Sequence, residues 1–193
     1  QHSRSAHSGP LLVRNEQRSS EGNIWLLPNP KVFGPQKPIV ITPNKTYSAH
    51  DMVDFLKDIG FPEGLYPYET RIVPLIGNIQ APQVPITCIM GKGVRTLENL
   101  FYGKGDFDER PEISYGDGDG TVNLMSLLAL QSLWKEEKNQ YLTVVKIDDV
   151  SHTSIVEVAL NEIVGEISSI NSQAWFGLSN SHAEFWKQEI KDS

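Results

Sequence analysis

The chain has 193 residues, 39% of them apolar, with 24 acidic against 17 basic side chains and a formal net charge of -7. That length suits one ordinary domain, and the negative balance excludes nucleic acid as a partner, because phosphate binding needs clustered Lys and Arg. No apolar run reaches the roughly 18 residues that a spanning helix needs, and five histidines with one cysteine are too few and too scattered for a structural zinc site.

The sequence opens at Gln1 without a methionine or a charged-then-apolar leader, which predicts a processed product or a fragment. Residues 1–23 are rich in Ser, Gln and Arg and read as a loop or mobile segment. Prolines punctuate residues 28–43, with a short strand predicted at 39–41 between them. Asn44-Lys45-Thr46 is an N-glycosylation sequon, relevant only to a secreted or lumenal protein. Ser48 and Asp51 have capping-box spacing, and Met52, Phe55, Leu56 and Ile59 follow on one helical face until Gly60 stops the helix. His50, in that first turn, reads as a surface or capping residue.

Residues 84–90 (VPITCIM) form a buried-strand candidate, and 103–112 (GKGDFDERPE) a solvated loop. After the glycine loop YGDGDGTVN, residues 123–134 predict one well-buried helix. Residues 141–147 (YLTVVKI) predict a second buried strand, apolar nearly throughout as parallel strands are. Ser154 and Glu157 have the spacing of another capping box, and Val156, Leu160, Ile163, Val164 and Ile167 a helical stripe. The aromatic-rich tail beyond Asn171 has no firm reading.

The order is strand, acidic loop, helix, strand, histidine loop, helix. This predicts an α/β fold with a parallel sheet, in which chemistry collects at the carboxyl ends of the strands. Asp117, Asp119 and His152 fall there. An imidazole that activates a hydroxyl needs a carboxylate to fix its tautomer, and the order Asp then His fits the second half of a Ser, Asp, His sequence of loops. From the pattern alone such a pair reads first as structural. As the triad acid Asp119 is favoured, with Gly120-Thr121-Val122 turning the chain away so that its carboxylate points out of the loop. Asp117 is expected to brace the loop by bonding backbone N–H groups. Calcium fits poorly, since the sixth and twelfth positions counted from Asp117 are Val122 and Leu128 rather than Gly and Glu.

The stretches YGDGDGTVN, VSHTSIV, PLLVRNEQRSSEGNIWLLP and ITPNKTYSAHDM resemble the lecithin–cholesterol acyltransferase family, with its lysosomal phospholipase A relatives. KVFGPQKPIVIT, FPEG and DGDGTVNL look nearest its plant-type branch. The resemblance runs from about Gly9 to Asn171, with several motifs agreeing in order and spacing. It implies the C-terminal part of an α/β-hydrolase fold plus part of a cap region: 1–24 a mobile post-lid segment, 25–80 cap, 81–171 hydrolase core, 172–193 tail. It implies acyl transfer from glycerophospholipid esters to a sterol, another lipid alcohol or water, with peripheral contact to a membrane surface and no cofactor or metal. A secreted, lysosomal, vacuolar or endomembrane-lumen setting goes with it.

The family's triad acid falls on Asp119 and its base on His152. Its serine and oxyanion-hole residues belong upstream of Gln1, since no G-x-S-x-G occurs in the chain. Ala6-His7-Ser8-Gly9 echoes the nucleophile motif, but polar residues 1–5 cannot supply the buried strand that a nucleophile elbow follows. The chain alone is therefore expected to be inactive, with several core strands missing and one bare, apolar sheet edge. The rival reading is a non-catalytic lipid- or partner-binding remnant. Cys88 matches a position where animal members have a cysteine paired to one in the helix after the acid loop. Residues 123–134 contain none, so the thiol is expected to be a small core residue.

Overall fold

The computed structural model of the chain describes residues 13–169. Short helices α1 (Arg14–Ser19), α2 (Glu21–Ile24) and α3 (Pro30–Phe33) come first, followed by the hairpin β1 (Val40–Ile41) and β2 (Thr46–Tyr47). A 3-10 turn over Ala49–Asp51 leads into α4 (Met52–Asp58). Its capping box is formed, with Ser48 Oγ accepting from the His50 amide at 3.2 Å and Asp51 Oδ2 accepting from the Ser48 amide at 2.8 Å. Gly60 ends the helix at φ 68. A helical run then passes through α5 (Leu65–Pro67), a π turn over Tyr68–Ile72, and α6 (Val73–Ile76). The apolar faces of these elements meet in one cluster built on Ile24, Val40, Tyr47, Met52, Leu56, Phe61, Tyr68 and Ile72.

The second half carries β3 (Ile86–Lys92), β4 (Thr96–Phe101), β5 (Glu112–Gly116), α7 (Leu124–Leu127), α8 (Ala129–Leu133), β6 (Leu142–Asp148) and α9 (Ile155–Ser169). β3 and β6 are parallel neighbours in register from Ile86↔Leu142 to Lys92↔Asp148. A four-stranded sheet has the order β2-β1-β4-β5, with β1 and β4 parallel and its other pairs antiparallel. The molecule is thus α/β, with one mixed and one parallel sheet flanked by helices. Among the described residues each of β3 and β6 has one strand neighbour, so that sheet has two open edges where one was expected.

Several sequence expectations change. Residues 123–134 form two helices rather than one, because Leu128 leaves the helical region at φ -87, ψ 5. The leucines of α7 and α8 are half-buried rather than well buried; they ring the segment, while α3 packs against it from one direction. The 103–112 stretch is not wholly solvated: Glu112 opens β5, and Phe107 packs edge-on against Tyr102, Tyr47 and Phe55. β6 exposes Thr143 on one face and Lys146 and Asp148 on the other, because side chains alternate along a strand, so it is not the fully buried strand expected. Cys88 is free and half-buried, opposite Val144 on β6.

The capping box assigned to Ser154 and Glu157 lies one turn earlier. Ser151 Oγ accepts from the Ser154 amide at 3.2 Å, and Ser154 Oγ accepts from the Ser151 amide at 3.0 Å. The Ile155 amide already donates to the Ser151 carbonyl at 3.0 Å, so the first helical turn includes His152. Ala6-His7-Ser8-Gly9, His182 and the tail beyond Asn171 lie outside the described residues. Among those residues no helix is long and apolar enough to cross a membrane.

Candidate active site

The loop that carries both aspartates is held by residues well separated from it in sequence. After β3 the chain departs through the β4–β5 hairpin and returns to the carboxyl end of β3. There the Val94 amide donates to the Gly118 carbonyl at 3.0 Å, and Val94 bridges Asp119 in parallel fashion. Asp117 Oδ1 accepts from the Gly93 amide at 2.6 Å. Thr96, almost fully buried, donates its hydroxyl to the Val94 carbonyl and accepts from the Gly120 amide, both at 2.8 Å. Thr96 carried no signal in the sequence, because one threonine opening a strand has no pattern around it.

Two of the loop's three glycines, Gly118 and Gly120, are required by its geometry. A Cβ on Gly118 would lie 2.3 Å from the Val122 carbonyl oxygen and 2.5 Å from Thr96 Oγ1. Gly120 sits at φ 90, a region that side chains disfavour. The turn they permit brings the Asp119 carboxylate back over its own backbone. Oδ1 accepts from the Thr121 amide at 3.0 Å and the Val122 amide at 2.7 Å. Asp119 does not point free of the loop as expected from sequence; it is buried at 4% exposure and braces the turn as Asp117 does.

The histidine arrives from β6. Asp149, left-handed at φ 58, turns the chain off the strand, a conformation that Asp tolerates better than most residues. Its amide donates to the Lys92 carbonyl at 2.7 Å, extending the β3–β6 pairing. Two bonds then tie His152 to Asp119: its backbone amide donates to the Asp119 carbonyl at 2.7 Å, and ring Nδ1 lies 2.8 Å from Oδ2. A carboxylate can only accept, so Nδ1 carries the proton and Nε2 presents a lone pair. The ring side chain is 50% exposed, and no described residue engages Nε2.

Burial pushes the Asp119 carboxyl up, but the Val122 amide, the His152 ring and the Thr121 amide together outweigh it. The group therefore ionises below the ordinary carboxylate range. The result is a fixed anion behind an oriented imidazole with one open nitrogen, which can take a proton from a hydroxyl placed against it. Among the described residues, no three His, Cys, Asp or Glu side chains gather as metal ligands would.

Away from this pair lies a cavity of about 830 Å³, walled by residues such as Ile24, Leu27, Phe55, Phe61, Tyr102 and Phe107, with Arg14, Arg18 and Arg110 also lining it. It shares no lining residue with the Asp119–His152 pair.

No protein-family model matches the chain. Similar proteins include lecithin-cholesterol acyltransferase-like 1 of Arabidopsis thaliana, 56% identical over 165 residues, which are 84% of this chain and 37% of that protein. A protein of the same name in Oryza sativa subsp. japonica is 45% identical over 151 residues, 78% of this chain and 34% of that one. The lysosomal phospholipase A and acyltransferase of Canis lupus familiaris is 35% identical over 148 residues, 76% of this chain and 35% of that one. The chain thus spans about a third of the length of the curated relatives it matches.

Proposed function

This chain belongs to the lecithin–cholesterol acyltransferase-like family of acyltransferases and phospholipases, and from that premise we propose that it supplies the acid and base of a Ser–Asp–His triad. His152 is the general base, and Asp119 holds its tautomer and stabilises the imidazolium that forms. The observation that carries this reading is the 2.8 Å contact between His152 Nδ1 and Asp119 Oδ2, in a half-exposed side chain whose Nε2 no described residue engages.

In the proposed reaction a serine hydroxyl gives its proton to Nε2 as its oxygen attacks the acyl carbonyl of a glycerophospholipid. The imidazolium then protonates the departing lysophospholipid oxygen. In the second half His152 takes a proton from a sterol, another lipid alcohol or water, whose oxygen attacks the acyl carbon and carries off the acyl group, while the imidazolium returns that proton to the departing serine oxygen. The serine and the oxyanion donors belong to the part of the relatives that these 193 residues do not span, and the whole is an α/β-hydrolase with residues 25–80 in its cap. Support for a lipid substrate comes from the apolar walls of the 830 Å³ cavity and from the names of the relatives.

Tested alone on phospholipid vesicles with and without sterol, residues 1–193 are expected to show no acyl release or transfer. Fusion to the matching N-terminal part of a relative restores it, and His152→Ala abolishes it again. Activity in the isolated chain that disappears in Ser8→Ala would overturn this reading. The rival reading, a non-catalytic lipid-binding remnant, draws on the same cavity; it predicts lipid binding in a fusion that never turns over.

A further inference from the structure

The chain contains a single N-x-S/T triplet, Asn44-Lys45-Thr46, and the fold displays it at a tight turn. Residues 42–45 connect β1 to β2. The Thr42 amide donates to the Lys45 carbonyl at 2.9 Å, and the Lys45 amide donates to Thr42 Oγ1 at 3.0 Å. Pro43 and Asn44 stand at the tip, both exposed. No described residue bonds the Asn44 amide or the Thr46 hydroxyl, and Thr46 is exposed on β2. The base of the hairpin is anchored instead by its neighbours. Lys45 Nζ reaches Asp54 and Asp58 at 3.0 and 3.1 Å, and the buried Tyr47 donates its hydroxyl to Asp58 at 2.7 Å.

We propose that Asn44 is an N-glycosylation site, used by any copy of the chain that enters a lumenal compartment. In that step Asn44 Nδ2 bonds to the anomeric carbon of an oligosaccharide carried on a lipid diphosphate. The carbon–oxygen bond to the diphosphate breaks, the diphosphate leaves with the electron pair, and the amide proton passes to a base of the transferase. The enzyme reads the Thr46 hydroxyl two residues on. An asparagine whose amide were spent on internal bonds, or whose side chain were enclosed, could not keep a branched sugar after folding. Neither obstacle applies to Asn44, which is exposed and whose side-chain amide no described residue bonds. The position also has a physical effect. β2 is an outer strand of its sheet, and outer strands offer unpaired backbone groups to other chains. A glycan at the tip of its hairpin screens that edge and keeps the turn in water, away from a lipid surface.

The full 193-residue chain, translated behind a cleavable secretory leader in the presence of microsomes, tests this directly. Only protease-protected chains are scored, so failed translocation does not enter the result. Protected wild-type chains are expected to carry added mass that a peptide-N-glycosidase removes. Asn44→Gln and Thr46→Ala should lose the added mass, and Thr46→Ser should keep it. Protected wild-type chains without sugar, or sugar persisting in Asn44→Gln, would overturn the proposal.

Discussion

The two oxygens of Asp119 have separate duties. Oδ1 closes the turn through the Thr121 and Val122 amides, while Oδ2 faces the ring of His152. An amide in its place keeps one oxygen for the turn but offers the ring a donor, inverting the tautomer. In a serine protease the equivalent change lowers kcat about 10⁴-fold, and in a restored full-length enzyme Asp119→Asn is expected to lose activity on that scale. Asp117→Asn weakens one bond to Gly93, a loss of about 1 kcal/mol in stability with a far smaller effect on turnover. Parallel assays of the two variants decide; if Asp117→Asn is the worse while folded, the acid is misassigned.

The lowered ionisation of Asp119 also sets a pH signature. Its contribution to stability is fully present above the unfolded carboxylate value of about 3.9 and disappears as pH falls through the depressed folded value. The stability gap between wild type and Asp119→Asn, measured by urea unfolding, is therefore expected to be constant near neutrality and to shrink below about pH 4. At this scale the sequence exposed the aspartate and histidine clearly, because a DGDG loop and a strand-terminal His stand out. It did not expose Thr96, nor that Asp119 braces its own loop, since both depend on a long-range return of the chain.

The first turn of α9 sets the direction of the ring. The Ser151–Ser154 exchange caps it, one turn before the Ser154–Glu157 pair that spacing alone suggested. The two assignments predict different mutants. Ser151→Ala should cost about 1 kcal/mol of stability, with Ser154→Ala comparable, whereas Glu157→Ala should be nearly neutral; chemical denaturation separates them. The elements that sequence reading recovered have strong periodicity or runs of β-branched residues: α4, β3 and β6. The β4–β5 hairpin was missed because the inward face of β4 carries the polar Thr96 and Glu98 beside Leu100, while Leu97, Phe101, Ile113 and Tyr115 are exposed at 40–44%, so the apolar residues do not mark a buried face. The break at Leu128 was illegible for a related reason, as a leucine-rich segment predicts helix at every position.

At the scale of the whole molecule, two regions carry different tasks: an apolar cluster of the first half with a cavity that residues 102–111 help to line, and the Asp–His pair at the ends of β3 and β6. β4 belongs to both. Thr96 at its beginning supports the Gly120 amide, and Leu100 near its end packs on the apolar cluster. A strand of about six residues is a rod some 17–20 Å long, paired on both sides by β1 and β5. Its ladder to β5 shifts register between Leu97 and Asn99, the kind of irregularity at which a strand bends. Deuterium uptake provides a view of this that needs no substrate. If β4 opens as one unit, its paired amides should exchange with a common free energy, and Phe107→Ala, a change in the aromatic cluster, should speed all of them together. Uptake that rose near Leu100 alone would mean that the two ends melt separately. With a common opening energy, the lifetime of the acid loop is set in part by aromatic rings that never approach the reacting atoms.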